Sequence, residues 1–263
     1  MSDDRTVRAE IGVIGGSGFY SLFTDAEEIA VETAFGAPSS PLTVGEIGGR
    51  RVAFLARHGI RHEFGPHRVP YRANVAALAD LGVTRIFAPC AVGSLRRDIH
   101  PGEMVICDQL VDLTTGRERT FFDDEVRHTS FADPYCPEMR AAAIVAAQVA
   151  GVTAHPTGTV VTIPGPRFST RAESAWFRSA GWDLVNMTQC PEAALARELG
   201  ICYSAIALVT DYDTGVEGIE ASEAVTAEAV FAVLASMVGV ATELLALAVG
   251  ELRVTRLCAC GAP

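Results

Sequence analysis

Lysine is missing from this chain, and positive charge is scarce: 21 arginines face 32 acidic residues, for a formal net charge of −11. A surplus of acid on this scale argues against coating nucleic acid or an anionic membrane surface. It leaves room for a small anion, because a local site outweighs the distant charges that salt screens. No Gly-Lys-Ser or Gly-Lys-Thr occurs, which excludes a P-loop. Long apolar runs are also few. The most lipid-like stretch, residues 229–242, lies between Glu228 and Glu243 and is too short to span a bilayer, so it predicts a buried helix. Residues 1–10 are polar and mixed in charge, without the apolar core of a secretory leader. The seven cysteines are odd in number and irregular in spacing, which predicts free thiols in a reducing, cytoplasmic compartment. Cys258 and Cys260 form a C-x-C with no other Cys or His pair close in sequence, and read as two tail thiols. No metal site is expected.

The 263 residues show no repeat, no low-complexity linker and no break in composition. They read as a short extension (1–9), one domain (10–252) and a tail (253–263). Strand patterns are expected at 11–15, 42–47, 51–56, 85–90, 104–107, 158–163, 184–187 and 201–210. Gly48-Gly49 supplies a two-residue hairpin turn between the second and third of these. Helical patterns are expected at 71–81, stopped by Gly82, and at 171–180, 191–199 and 222–252, the last with Ser222 as its N-cap. Strands alternating with helices, plus one hairpin, predict an α/β domain with a mixed sheet. Ligands of such sheets sit beyond the carboxyl ends of strands. Six strand ends here carry small, polar or charged residues: GGSG after 11–14, Arg57-His58, the segment from Cys90 to Ser94, PGPRFS after Ile163, Met187-Thr188, and Thr210-Asp211-Tyr212-Asp213.

The glycine turn Gly15-Gly16-Ser17-Gly18 poses the first choice. A dinucleotide fingerprint needs a third glycine, a helix and a second parallel strand. Here Phe19-Tyr20-Ser21 follow and a hairpin comes next, so a nicotinamide or flavin cofactor is disfavoured. A tight turn and a single small-anion site, with Ser17 as donor, both stay open. In ARHGIRHEFGPHR (residues 56–68), His58 and His62 have helical metal-ligand spacing. Gly59 and Gly65-Pro66 oppose a helix, and no acidic partner is evident. Arg57, directly after a strand, matches phosphate oxygens with its planar fork, while Arg61 and Arg68 read as solvated charge. Asp211 and Asp213 are i, i+2 and share a strand face. Two close carboxyls in a partly dry pocket raise the pKa of one of them, although an N-cap and a solvated acid would explain the same pair.

Taken in order, GVIGGSGF, ARHG, YRANVAAL, AVGSL, GEMVICDQLVDLTTGR, FADPYCP, GPRFSTRAES, NMTQCPEAALARELGICY and TDYD resemble the 5′-methylthioadenosine phosphorylases, within the wider purine nucleoside phosphorylase group. The likeness spans residues 9–250. It implies an α/β fold with a central mixed sheet or distorted barrel flanked by helices. It also implies a homotrimer whose sites are completed by a neighbouring subunit, no cofactor and no metal, and inorganic phosphate as co-substrate. By this resemblance phosphate is held by Ser17, Arg57, His58, Cys90, Ala91 and Thr188. Met187 packs under the ribose, and His128 reaches it from the adjacent subunit. Phe168 stacks on the purine beside Ala91, Val92 and Gly93, and Asp211 and Asp213 meet the purine edge as the catalytic pair. His62, Ala227, Val230 and Phe231 line the 5′ pocket, and Ser169 and Ala227 tune substrate choice. The implied reaction is phosphorolysis of an N-glycosidic bond, with Asp211 as donor to N7 and selective for adenine over 6-oxopurines. Related phosphorylases acting on inosine, guanosine, 5′-methylthioinosine or a 5′-halogenated deoxyadenosine are the nearest alternatives. A nucleoside hydrolase and a non-catalytic nucleoside-binding protein are more distant ones. Cys90 stands where many relatives carry a hydroxyl, and a thiol is the weaker donor.

Overall fold

The structure is a computed structural model that describes residues 9–23, 26–216 and 225–261. Its strands are β1 (Ile11–Gly15), β2 (Glu27–Ile29), β3 (Leu42–Ile47), β4 (Arg50–Ala56), β5 (Arg85–Ser94), β6 (Met104–Ile106), β7 (Gln109–Asp112), β8 (Ala154–His155), β9 (Thr159–Thr162), β10 (Leu184–Asn186) and β11 (Cys202–Tyr212). The helices are α1 (Tyr71–Asp80), α2 (Pro137–Val149), α3 (Arg171–Ser179), α4 (Gln189–Glu198) and α5 (Ala227–Glu251).

All eleven strands belong to one mixed sheet. Its main path runs β2-β3-β4-β1-β5-β10-β9-β7, with β11, β6 and β8 branching from β5. Apolar alternation decides which side each residue faces. In β1, Ile11 and Val13 join a core built with α2 and α5, while Ile14 joins the opposite core with α1 and α4. The β3–β4 hairpin turns on Gly48 (φ 56°) and Gly49 (φ 73°), both left-handed as a type I′ turn requires.

β5 positions the site. One of its edges pairs with parallel β11 along its whole length. The other edge pairs with parallel β1 only over Arg85–Phe87, and with antiparallel β10 only at Gly93 and Ser94. Between them, residues 88–92 have no strand neighbour on that side. A cleft opens in this gap at the carboxyl end of β1, a switch point of the kind that collects ligands in α/β sheets.

Several expectations shift. α2 was not anticipated, because its alanine-rich sequence carries little contrast between the buried Ala142, Ala143, Ala146 and Ala147 and the exposed Ala141. The short β2, β7 and β8 were likewise not anticipated. α5 is capped by Thr226, whose side chain accepts from the Ala229 N–H at 3.3 Å; Ser222, the expected cap, lies outside the described residues. α5 is long and apolar enough by length and composition to cross a membrane. Only a narrow face of it is buried, through Leu234, Met237, Ala241, Leu244, Leu245, Ala248 and Val249, so the expectation of a buried helix over residues 229–242 is corrected: only Leu234, Met237 and Ala241 of that stretch are buried. The tail folds back on the core: the Leu257 N–H donates to Glu138 Oε1 at 2.8 Å, and Arg256 Nη1 donates to the Gly200 carbonyl at 2.9 Å. This brings Cys258 and Cys260 beside Cys136 and Cys202. The pair read as isolated tail thiols is half of a four-cysteine cluster, assembled by residues too far apart in sequence to be linked by spacing.

Candidate active site

The cleft beside β5 has a volume of about 280 Å³. Seventeen of the eighteen residues singled out from the sequence line it, from Ser17 through Arg57, His58 and His62 to Phe231; only His128 does not. The lining sorts into three regions.

The first lies at the carboxyl end of β1. Gly16 must lack a side chain, because a Cβ there would stand 2.9 Å from Arg57 Nη1 and 2.9 Å from the Pro89 carbonyl oxygen. Ser17 follows at the cleft wall. Arg57 is fully buried and ion-paired to the equally buried Glu192, with Nε and Nη2 each 2.7 Å from a carboxylate oxygen. Nη2 also donates to the Ile14 carbonyl and Nη1 to the Pro89 carbonyl. These bonds occupy four of the five N–H donors, which leaves one on Nη1. The expectation of Arg57 as a bidentate phosphate fork is therefore corrected: Glu192 holds the fork, and Arg57 contributes positive charge and a single donor. Burial opposes that charge, but the Glu192 carboxylate more than offsets it and pushes the guanidinium pKa up. Burial and the neighbouring Arg57 push the His58 pKa down to about 4, so its ring is neutral at pH 7. Its Nδ1 lies 2.7 Å from the Phe64 carbonyl, an acceptor that assigns the proton to Nδ1. A deprotonated Nε2 follows, suited to accept from the O–H of hydrogen phosphate.

Thr188 and Cys90 close this end. Asn186 Oδ1 accepts from the backbone N–H groups of Thr188 (2.7 Å) and Gln189 (2.8 Å), and its Nδ2 donates to the Ala91 carbonyl at 2.9 Å. Asn186 thereby ties the start of α4 to the unpaired stretch of β5. The Cys90 sulfur accepts from Gln189 Nε2 at 3.3 Å, and burial pushes its thiol pKa up to about 11. Cys90 is thus a neutral wall residue at physiological pH.

The second region holds the two acids. In β11, Val209 pairs with Val92 but Asp211 pairs with Gly93, so Thr210 is an extra residue. A bulge of this kind re-aims the side chain that follows it. Here it leaves Thr210, Asp211 and Asp213 all facing the cleft, with Asp213 just beyond the strand. Asp211 Oδ1 accepts from the Thr210 hydroxyl at 2.7 Å. Burial, helped by the Asp213 charge and opposed by Thr210, raises the Asp211 pKa to about 6. Burial also raises Asp213, opposed by the neighbouring Ser174 side chain and Thr214 backbone. Asp213 Oδ2 is buried with no partner among the described residues. A Cβ on Gly93 would stand 3.1 Å from Asp211 Oδ2, so glycine keeps this wall open to a flat ligand. Phe168, 37% exposed, and Met187 complete the wall.

The third region is apolar and aromatic. His62 stacks on His58 with ring centroids 4.7 Å apart and meets Phe231 edge-on at 5.6 Å. Its Nδ1 lies 3.2 Å from the Tyr20 hydroxyl, and burial lowers its pKa. Ala227 and Val230 of α5 finish this end. An anion end, an acid-bearing slot and an apolar end therefore meet in one cleft.

The family model for the phosphorylase superfamily matches residues 10–241. This chain belongs to the phosphorylase superfamily. The phosphorylase is 61% identical over 208 residues to a protein of Mycolicibacterium smegmatis named S-methyl-5′-thioadenosine phosphorylase, covering 79% of this chain and 78% of the relative. It is 49% identical to a Streptomyces coelicolor protein named purine nucleoside phosphorylase, covering 97% and 94% of the two chains. Among solved structures, the methylthioadenosine phosphorylase of Schistosoma mansoni in complex with adenine superposes with a TM-score of 0.87 at 40% identity, over 92% of this chain and 91% of that one. The mixed α/β domain expected from the sequence is thus the fold of this phosphorylase.

In the phosphorylase, His128 is exposed and lines a second, wider cleft with Asp133, Tyr135 and Arg140. No motif pointed to Glu192, Asn186 or Tyr20 as site residues. Glu192 follows Pro191 in NMTQCPEAALARE, and only the tertiary contact with Arg57 reveals its part. Asn186 could have been noticed as a polar residue ending a strand.

Proposed function

We infer that this phosphorylase cleaves 5′-methylthioadenosine with inorganic phosphate, giving adenine and 5-methylthioribose 1-phosphate. One observation carries the reading: a carboxyl with its pKa raised to about 6, Asp211, shares a cleft with the Ser17, Arg57 and Thr188 end. Phosphorolysis needs an acid at the leaving purine and an anion site on the other side of the scissile bond. As the bond from C1′ to N9 lengthens, the sugar gains oxocarbenium character, which the phosphate stabilises before its oxygen bonds to C1′. The electron pair withdraws into the purine, and Asp211 delivers its proton to N7. Hydrogen phosphate gives up its own proton, for which the lone pair of His58 Nε2 is a local acceptor, and solvent returns one to Asp211. A carboxyl also accepts from an exocyclic N6 amine, whereas a 6-oxo group would present a second acceptor. Asp in place of an amide therefore favours adenine.

Met187 and Phe168 suit the ribose and the base, and the aromatic and aliphatic end suits a 5′-methylthio group better than a hydrated hydroxyl. In this reading the enzyme is a homotrimer in which His128 of one subunit reaches the ribose of the next. It works in the cytoplasm in purine and methionine salvage, with phosphate as co-substrate and neither cofactor nor nucleic-acid or membrane partner. The Streptomyces relative's name, purine nucleoside phosphorylase, keeps other purine nucleosides, inosine among them, as the second reading. The experiment is a substrate panel: release of base from 5′-methylthioadenosine, adenosine, 5′-methylthioinosine and inosine, with and without phosphate. The expected ranking puts 5′-methylthioadenosine first and shows no turnover without phosphate. Inosine as best substrate would refute the role given to Asp211, and undiminished turnover in phosphate-free buffer would make the enzyme a hydrolase.

A further inference from the structure

Four of the seven cysteines meet at one point, away from the catalytic cleft. Cys136 is the N-cap of α2, Cys202 is the first residue of β11, and Cys258 and Cys260 come from the returning tail. Their four sulfurs all lie within 4.8 Å of one another, and the Cys202 and Cys258 sulfurs are 3.4 Å apart. All four are free thiols. Cys136, Cys202 and Cys260 are buried and Cys258 is half-buried.

We propose that Cys136, Cys202, Cys258 and Cys260 form a tetrahedral four-thiolate site for a single zinc ion that staples the carboxyl-terminal tail to the core. The dimensions fit. With zinc–sulfur bonds of about 2.3 Å, the sulfur–sulfur edges of a regular tetrahedron are about 3.8 Å. The observed cluster needs only small side-chain adjustments to reach that size. The donor set fits too, since four soft sulfurs select zinc over the hard, oxygen-seeking cations. Four protein ligands leave no open position, so the ion is structural and does not take part in catalysis.

The surroundings compensate the charge. Four thiolates around Zn²⁺ carry a net −2. Arg256 Nη1 lies 3.8 Å from the Cys202 sulfur, and Arg197 Nη2 lies 3.9 Å from the Cys260 sulfur. The amino end of α2 begins at Cys136 and favours negative charge there. Two guanidinium groups and a helix terminus directed at thiolates supply the outer partners that orient ligands in metal sites. Binding is a ligand exchange without redox change: the thiols release their protons to solvent as the sulfurs bond to the ion. The other three cysteines are arranged differently, with Cys90 and Cys107 each accepting from Gln189. From Cys202 to Asp211, nine residues along β11 span about 30 Å, which separates this centre from the acid end of the cleft.

The test is the metal content of the full-length protein, purified under reducing conditions without chelator. About one zinc per chain is expected, falling below about a tenth in the Cys258→Ser/Cys260→Ser variant. Both substitutions lie in the tail, so the domain should still fold and turn over nucleoside. Reconstitution of the metal-free protein with Co²⁺ should give thiolate-to-metal charge-transfer absorption and the visible bands of a tetrahedral ion, both absent from the variant. Chelator should lower Tm in the parent and leave the variant unchanged. Equal zinc in parent and variant would overturn the proposal. So would recovery of these cysteines as disulfides from protein prepared anaerobically, or iron in place of zinc.

Discussion

Asp211 shows how one side chain can matter in opposite ways for stability and for chemistry. Its pKa is raised from 3.8 to about 6, chiefly by burial. The protonated form is therefore the one the fold favours. Its contribution is complete below the unfolded value and is lost as pH rises through the folded one. A shift of this size corresponds to about 3 kcal/mol, or about 2 kcal/mol once the solvent-exposed part of the carboxyl is allowed for. We expect Asp211→Asn to stabilise the unliganded protein by about 1–2 kcal/mol at pH 8 and to have little effect at pH 4, as measured by thermal melts at the two values. The same variant should lose turnover of adenine nucleosides by about 10²–10⁴-fold, the usual worth of a positioned acid. In the parent, kcat/KM should fall as pH rises through about 6. A stability change equal at both pH values would remove burial as the cause of the shift. The Arg57–Glu192 pair teaches a different lesson. Arg57 was legible as a charged residue after a strand, whereas its partner lies 135 residues away. Its count of free donors follows only from that contact.

At the scale of elements, strands with strict alternation and turns with glycine were readable. The β3–β4 hairpin and β1 stand where apolar period and turn chemistry put them. Gly48 carries a tertiary constraint as well as a turn: a Cβ there would lie 2.5 Å from the Ala246 carbonyl oxygen of α5, while one on Gly49 would meet nothing within 4 Å. Both glycines have positive φ, so alanine strains each by about 1 kcal/mol. Only Gly48→Ala should also push α5 from the hairpin, for a total loss of about 2–4 kcal/mol. Chemical denaturation of the two variants checks this, and equal losses would leave the helix contact without consequence. The bulge at Thr210 was not readable. TDYD reads as plain alternation, and only the pairing of Asp211 with Gly93 shows the added residue that aims the carboxyl at the cleft.

For the whole molecule, α5 leaves Val240 41% exposed, and Phe231 at the cleft 39% exposed; the proposed trimer is a matter of mass. Sedimentation should give three times the chain mass. His128→Ala should raise the nucleoside KM about tenfold, with little change in the phosphate KM. A fully active monomer would contradict the shared site. The amino-acid sequence by itself determined the α/β class, most of the strand order along the chain, and many of the residues of the cleft wall. The class and strand order rest on short-range period and glycine turns, and the strand-end residues of the cleft on the rule that strand ends carry function, whereas His62, Ala227, Val230 and Phe231 were placed there only by the family resemblance. Tertiary structure alone decided that β5 loses one neighbour before gaining the next, that Glu192 takes the fork of Arg57, and that four distant cysteines share one point. Each depends on contacts between residues far apart in the chain, and local pattern carries no information about which distant side chain arrives.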